Sequence, residues 1–465
     1  MTTGDTMAPA DAAPNATKMS RAVTLTALSL GFVVVQLDVT IVNVALTHIG
    51  ATFGSGVSEL QWVVNAYTLT FAALILTAGA LGDRSGAKRV FIVGFAVFVL
   101  ASLACALAPT FATLVAARTI QGVGAAILVP CSLALLNHTY SGDAARARAV
   151  AVWAAGASAA LSAGPVVGGV LIAVFSWRSI FLINVPLGLI GIGLTWRYAR
   201  ETPRSAQTGV DLGGQLAGII ALGALAAATI EGGARGWTDP PVLTGFTVCV
   251  LAGVAFVAIE ARVTRPMLPL SLFTRRTFSA TALIGLCVNV AFYGLIFVFS
   301  LLFQQVKGYT ALQTGLAFVP MTAAIMAANV IAGRLSSRIG PRTVIMSGAA
   351  LLALACLGLL GVGATTPYPA MAVQLLAMGA GLGLVVPPLT SSLLGSVERA
   401  RSGVASGVLN TTRQAGSVLG VSLFGSLVGR HHHFVPGLHV ALILSGVLVF
   451  IGCGLALFIH TEDVS

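Results

Sequence analysis

Long apolar runs alternate with short polar breaks from near the amino terminus to the end of this 465-residue chain. Fourteen runs can be drawn, at 20–47, 58–80, 89–108, 111–137, 149–173, 178–198, 211–231, 241–260, 277–305, 312–333, 342–363, 367–393, 402–428 and 437–460. Each is long enough to cross a hydrocarbon core of ~30 Å as a helix, which takes about 20 residues. The pattern predicts an all-α integral membrane protein. Residues 1–19 are small and polar and are expected to form a disordered cytoplasmic tail. The run that follows exceeds the ~7–15-residue core of a signal peptide, so it reads as a retained first span.

Composition agrees, with 57% hydrophobic and 8% charged residues and a mean hydropathy of +0.96. A soluble globular chain is excluded. The net charge of +11 raises the question of nucleic acid, and its placement answers it. With the amino terminus inside, about nineteen of the 25 Lys and Arg residues fall on the cytoplasmic side. Four fall outside (Arg178, Arg235, Lys307 and Arg430), and Arg118 and Arg413 lie within spans. That asymmetry is the positive-inside rule. It implies a multi-pass protein of the cell membrane with both termini cytoplasmic, a lipid bilayer as partner and no nucleic acid. A monomer is the default expectation. All six cysteines lie in apolar segments without metal-ligand spacing, which makes them buried thiols. No metal site and no cofactor is expected.

The breaks contain a repeat. Gly79-Ala-Leu-Gly-Asp83-Arg84-Ser-Gly86-Ala-Lys88-Arg89-Val90 follows the second run, and Gly333-Arg-Leu-Ser-Ser-Arg338-Ile-Gly340-Pro-Arg342-Thr-Val344 follows the tenth. Gly, Leu, Arg, Gly, a base and Val recur at one spacing, 254 positions apart. The simplest architecture is two six-helix bundles, 20–198 and 277–460, with two extra spans inserted at 209–261. Repeated bundles of this kind are a transporter design, with cargo held between them near mid-membrane.

Five strings carry a family resemblance: Leu37-Asp38-Val-Thr40-Ile-Val-Asn43, the Gly79–Arg89 loop, Arg118-Thr-Ile-Gln121-Gly-Val-Gly124, Gly164-Pro165-Val-Val-Gly168-Gly169, and Trp177-Arg-Ser-Ile-Phe-Leu-Ile-Asn184-Val-Pro186. With them the chain resembles the major facilitator superfamily, and in particular its fourteen-spanner drug/proton antiporters of the methylenomycin-resistance type. The resemblance implies a substrate cavity bordered by spans 1 and 4, and the Gly164-Pro165 string resembles the signature of antiporters. Ala87 departs from the loop pattern, which usually has a base there; Lys88 and Arg89 stand next to it.

Asp38 is a carboxylate deep in an apolar run, where an unpaired charge costs several kcal/mol. At 1.5 Å per residue, Asp38 and Arg118 lie at matched depth, ~12–15 Å below the outer boundary. They are the candidate proton-coupling pair, Asp38 alternating between a protonated form and an ionised form held by Arg118. The alternative is a permanent bond that only fixes packing. On a regular helix Gln36, Thr40 and Asn43 share a face with Ser29, and Asp38 falls nearly opposite. Either span 1 is kinked, or the two sets face different protein surfaces. Gln36, Thr40 and Asn43 are assigned to the substrate cavity with Asn410, Arg413 and Gln414 of span 13; bonding to their own backbone or to neighbouring helices is the alternative.

Gly156, Ala160, Gly164 and Gly168 lie four apart in span 5, where small residues let backbones approach. With Pro165, which invites a kink, and Gly169 they are the expected antiporter seam between bundles. Gly379, Gly383 and Pro387-Pro388 mark a second weak point in span 12. Gly79, Asp83, Arg84, Gly86, Lys88 and Arg89 form the candidate gating loop, with Asp83 suited to capping helix ends. Trp62, Tyr67, Phe292, Tyr293 and Phe303 are aromatic candidates for the cavity wall or the core. Glu59, Asp211, Glu231 and Glu260 sit near span ends and read as anchors, and His431-His432-His433 as a surface loop.

The expected function is a proton-coupled antiporter exporting amphipathic drug- or antibiotic-like small molecules by alternating access, with the proton as coupling ion. A proton symporter or uniporter for a defined metabolite on the same fold is the alternative. No nucleotide loop, nucleophile triad or metal cluster supports an enzyme.

Overall fold

A computed structural model describes residues 14–140, 142–204, 211–263, 266, 268–398, 402–429 and 434–459. Most of them are helical, and the described residues contain no strand. In the first half run α1 (Pro14–Phe53), α2 (Val57–Ser85), α3 (Ala87–Ala106), α4 (Phe111–Thr139), α5 (Asp143–Val174), α6 (Ser179–Leu182) and α7 (Asn184–Tyr198). Then come α8 (Leu212–Arg235) and α9 (Pro240–Glu260). The second half holds α10 (Arg276–Leu301), α11 (Ala311–Ala317), α12 (Val319–Ile339), α13 (Pro341–Gly358), α14 (Tyr368–Gly395), α15 (Ser402–Val428) and α16 (Phe434–Leu455). The tail expected at 1–19 falls partly outside the described residues, and its portion from Pro14 onward is helical, continuing the first span. His431, His432 and His433 lie outside the described residues.

Among the described residues thirteen helices are long and apolar enough to cross a membrane, with α6 and α7 making one span and α11 and α12 another. The helix missing from that set is α15. It spans 27 residues but carries Asn410, Thr411, Thr412, Arg413 and Gln414 in succession.

The helices pack as a repeat. In the first half α1 packs on α5, α2 on α4, α3 on α4, and α7 on both α1 and α3. In the second, α10 packs on α15, α12 on α14, α13 on α14, and α16 on both α10 and α13. The repeated loop behaves alike in both copies: Gly86 ends α2 and starts α3 at φ 97°, and Gly340 ends α12 and starts α13 at φ 84°. Both conformations favour glycine, so one residue turns the chain tightly enough to reverse it.

The halves meet along α2 and α15, along α5 and α11, and where α1 reaches α10. Helix α8 lies across the first seam, touching α2 and α15, and α9 packs on α8 with most of its apolar surface turned outward.

Candidate functional site

Helices α4 and α7 bring side chains to Asp38, and α2 and α3 support those side chains; Asp38 is 0% exposed, as is Arg118. Arg118 Nη1 of α4 donates to Asp38 Oδ2 at 2.5 Å and to Gln121 Oε1 at 2.7 Å. Gln121 Nε2 donates to Asp38 Oδ1 at 2.9 Å, and Asn184 Nδ2 of α7 donates to the same oxygen at 3.2 Å. Ser102 Oγ of α3 accepts from Gln121 at 2.8 Å and from Asn184 at 3.4 Å. Arg118 Nε donates to the Val63 carbonyl of α2 at 3.0 Å. The guanidinium carbon stacks 4.4 Å from the centre of the Tyr67 ring and 5.7 Å from that of Phe181. A buried charge needs a counter-charge and hydrogen bonds for its remaining lone pairs, and this cluster supplies both. Among the described residues Arg118 Nη2 and Asn184 Oδ1 remain without a partner.

The cluster lies inside the first bundle. Asp38 points to α3, α4 and α7, whereas its neighbours on α1 look the other way. Thr40 Oγ1 donates to the Leu161 carbonyl of α5 at 2.9 Å. The Asn43 carbonyl accepts from Ser300 Oγ of α10 at 2.6 Å, a bond between bundles, and its amide bonds back to the Val39 carbonyl at 3.1 Å. Gln36 is buried. The two polar sets of span 1 thus face different protein surfaces.

Asn410, Arg413 and Gln414 stand apart from this cluster, in α15 of the other bundle. Asn410 Nδ2 donates to the Ser406 carbonyl at 2.9 Å, and Gln414 is buried with Oε1 unpartnered among the described residues. Arg413 is half-buried.

The small-residue stripe of α5 closes on α1 instead of on the other bundle. A Cβ at Gly164 would lie 3.1 Å from the Ile41 nitrogen, one at Gly168 3.1 Å from the Ile41 oxygen, and one at Gly156 3.5 Å from Val33. Ala160 is buried in the same row. The contact between bundles is one step further round the helix: Gly169 meets the Ala311 carbonyl, and the Pro165 carbonyl meets Gly315 of α11. A stripe at i, i+4 fixes one helix face but does not say which neighbour it meets. Gly379 and Gly383 likewise close on α12, at Met321 and Ile325, and α14 runs unbroken through Pro387 and Pro388.

In the loop, Asp83 and Arg84 are exposed, and Gly79 packs on Pro130 at ordinary distance. The cap of α3 comes from beyond α7. Glu201 accepts from the Lys88 nitrogen at 2.8 Å and the Arg89 nitrogen at 3.3 Å, and Thr202 Oγ1 accepts from the Ala87 nitrogen at 2.9 Å. Lys88 Nζ donates to the Trp196 carbonyl at 2.9 Å. Gly86 has no side chain to cap the helix that it starts, so a distant carboxylate satisfies the free amides.

Sequence reasoning singled out Asp38 and Arg118 but gave no role to Gln121, Asn184, Ser102 or Glu201. Gln121 had a signal: three residues after Arg118, it shares that residue's helix face. Among the described residues no group of His, Cys, Asp and Glu is placed to hold a metal ion.

The sequence profile of the Major Facilitator Superfamily matches residues 28–421, most of the chain. The chain belongs to the Major Facilitator Superfamily. It is a multi-pass membrane transporter of that superfamily, all-α and built on the two repeated bundles described above. The methylenomycin A resistance protein of Streptomyces coelicolor is 39% identical over 430 residues, covering 92% of this chain and 90% of its own. The multidrug resistance protein Stp of Mycobacterium tuberculosis is 37% identical over 409 residues, covering 87% and 75%. A solved bacterial homologue of the human lysosomal transporter Spinster superposes with a TM-score of 0.66 at 16% identity, over 96% of this chain and 98% of that one, a likeness of fold.

Proposed function

We propose that this superfamily member is a fourteen-spanner proton-coupled antiporter that exports amphipathic drug- or antibiotic-like molecules from the cytoplasm. The observation that carries the reading is the sealed Asp38–Arg118 pair, with Gln121 and Asn184 on the second carboxylate oxygen. Removing one partner of such a buried pair costs ~3–5 kcal/mol, because the other charge is left uncompensated. A proton on Asp38 removes the carboxylate's share of that penalty, while the Arg118 guanidinium keeps the Val63 carbonyl, Gln121 and the Tyr67 ring face as partners. The pair can then part only when a proton is aboard, which ties a rearrangement of α1 against α4 to proton uptake. The relatives named for methylenomycin and multidrug resistance support export of drug-like cargo. In the fourteen-span topology α15 is the remaining span, packed against α2, α8, α10 and α16.

Everted membrane vesicles carrying the protein test this. With an imposed pH gradient, wild type is expected to accumulate ethidium, and Asp38→Asn to fall to the level of empty vesicles with normal insertion. Robust gradient-driven transport by Asp38→Asn removes Asp38 from coupling.

A further inference from the structure

Each group bonded to Asp38 is a donor, an arrangement that suits the carboxylate and opposes a proton on it. Oδ2 faces the Arg118 guanidinium, a cation that holds the negative charge at that oxygen. Oδ1 faces two primary amides, from Gln121 and Asn184. A proton therefore belongs on Oδ1, provided that one of the amides can turn its carbonyl towards it.

Gln121 is fixed. Its Oε1 accepts from Arg118 Nη1 at 2.7 Å and from Cys105 Sγ at 3.7 Å, and its Nε2 donates to Asp38 and to Ser102. Reversed, its N–H groups would meet those of the guanidinium, donor against donor. Asn184, 1% exposed, is held more loosely. Its Nδ2 makes longer bonds, 3.2 Å to Asp38 Oδ1 and 3.4 Å to Ser102 Oγ, and its Oδ1 has no partner among the described residues. Turning the amide therefore breaks no bond of its carbonyl. Once turned, the carbonyl meets Asp38 Oδ1, and Ser102, which accepts from both amides, has its own hydroxyl hydrogen to give to it.

The titratable side chains around the carboxyl have other commitments. Arg118 of α4 is a permanent cation. Cys105 of α3 serves Gln121, and the Tyr67 hydroxyl of α2 serves the Val35 carbonyl. The titratable residues of α5 and α7 lie at helix ends far from Asp38, Arg146 and Arg148 in one and Arg197 and Tyr198 in the other. Helix α10 meets α1 on its other face, at Asn43.

We propose that Asn184 is a turning amide that follows the proton on Asp38. With Asp38 ionised it donates through Nδ2; with Oδ1 protonated it turns and accepts that proton's hydrogen bond through its own carbonyl. Asn184 is thus a positioning residue, and it is the first residue of α7, which packs on both α1 and α3. Proton uptake at Asp38 reaches α7 through this one side chain.

The inference rests on the reading of Asp38 as the coupling carboxyl. Infrared difference spectra of the intact protein in micelles, taken as the pH is lowered, test it. The carboxyl band that appears in wild type and is missing from Asp38→Asn belongs to Asp38. In wild type isotopically labelled at the asparagine side-chain carbonyl, one amide band, absent from Asn184→Thr, is expected to move to lower frequency in step with it, as that carbonyl gains a hydrogen bond. Asn184→Leu, which neither donates nor accepts, should move the Asp38 carboxyl band to higher frequency. The labelled wild type decides by itself if Asn184→Leu does not fold. An Asn184 band that stays still while Asp38 takes its proton, or a carboxyl band at one position in wild type and Asn184→Leu, overturns the switch and leaves the coupling reading standing. The absence of any Asp38 band, with gradient-driven transport by Asp38→Asn in vesicles, overturns both.

Discussion

At the scale of single residues, the Asp38 cluster divides into a charge pair and the neutral groups that hold it. Arg118→Leu leaves the Asp38 carboxylate buried with amides alone, and is expected to cost about 3–5 kcal/mol of stability. Asp38→Asn together with Arg118→Leu leaves no charge in the cluster and should recover most of that loss. Denaturation midpoints of wild type, Arg118→Leu and the double variant in micelles measure both values, and a double variant as unstable as Arg118→Leu alone sinks the argument. The charge pair was legible in the sequence because two ions in apolar runs at equal depth stand out from their surroundings. Gln121, Asn184 and Ser102 were not. Neutral polar residues are common in spans, and only the folded chain shows which of them converge on one carboxylate. Glu201 was hidden for another reason, since it acts across a gap of more than a hundred residues on helix amides that have no signature in sequence.

Among the elements, α5 shows what periodicity does and does not settle. Four-residue spacing correctly marks a face of close approach, but Gly164 and Gly168 meet Ile41 of α1 within the bundle, while Pro165 and Gly169 meet α11 across the interface. These contacts separate two kinds of substitution. Gly164→Ala places a methyl against the α1 backbone, so it should destabilise the first bundle by about 1–3 kcal/mol as overpacking does. Gly315→Ala places one against the Pro165 carbonyl, where the two bundles close, and is expected to leave bundle stability nearly intact while cutting the transport rate at least tenfold. Midpoints in micelles and initial rates in vesicles, taken on the same preparations, tell these apart. A Gly315→Ala protein with normal rates removes the α5–α11 contact from the working cycle. The loop repeat was more fully legible, because a glycine at positive φ is required in both copies and few other residues can replace it.

For the whole molecule, the two bundles share a backbone plan but not its chemistry. Gly122 on Tyr67 and Gly124 on Phe98 in the first half correspond to Gly379 on Met321 and Gly381 on Leu352 in the second. In that register the second bundle has Leu375 and Met378 where the first has Arg118 and Gln121. Matching Gly164 and Gly168 on Ile41 with Gly416 and Gly420 on Val290 places Cys287 opposite Asp38, and Leu161 opposite Arg413. One bundle thus holds a sealed charge pair and the other a single half-buried charge, Arg413. The coupling role proposed for the charge pair therefore has no counterpart in the second bundle. The proposed antiport cycle has the bundles move against each other along α2 and α15, and α8 spans that seam. Its Gln215 donates to the Ala73 carbonyl of α2 at 2.5 Å and accepts from Thr77, whereas at its other end Gly233 rests on Ser426 of α15 without a hydrogen bond between them. The hydrogen-bonded end should travel with the first bundle while the glycine end slides. Gly233→Leu is therefore expected to slow transport about tenfold or more at unchanged stability. Gln215→Leu should cost about 1–3 kcal/mol by leaving Thr77 and the Ala73 carbonyl without it, and should keep the rate near normal in whatever protein remains folded. Rates normalised to folded protein decide: if Gln215→Leu slows transport as much as Gly233→Leu, α8 is not fixed to the first bundle and the sliding contact lies elsewhere.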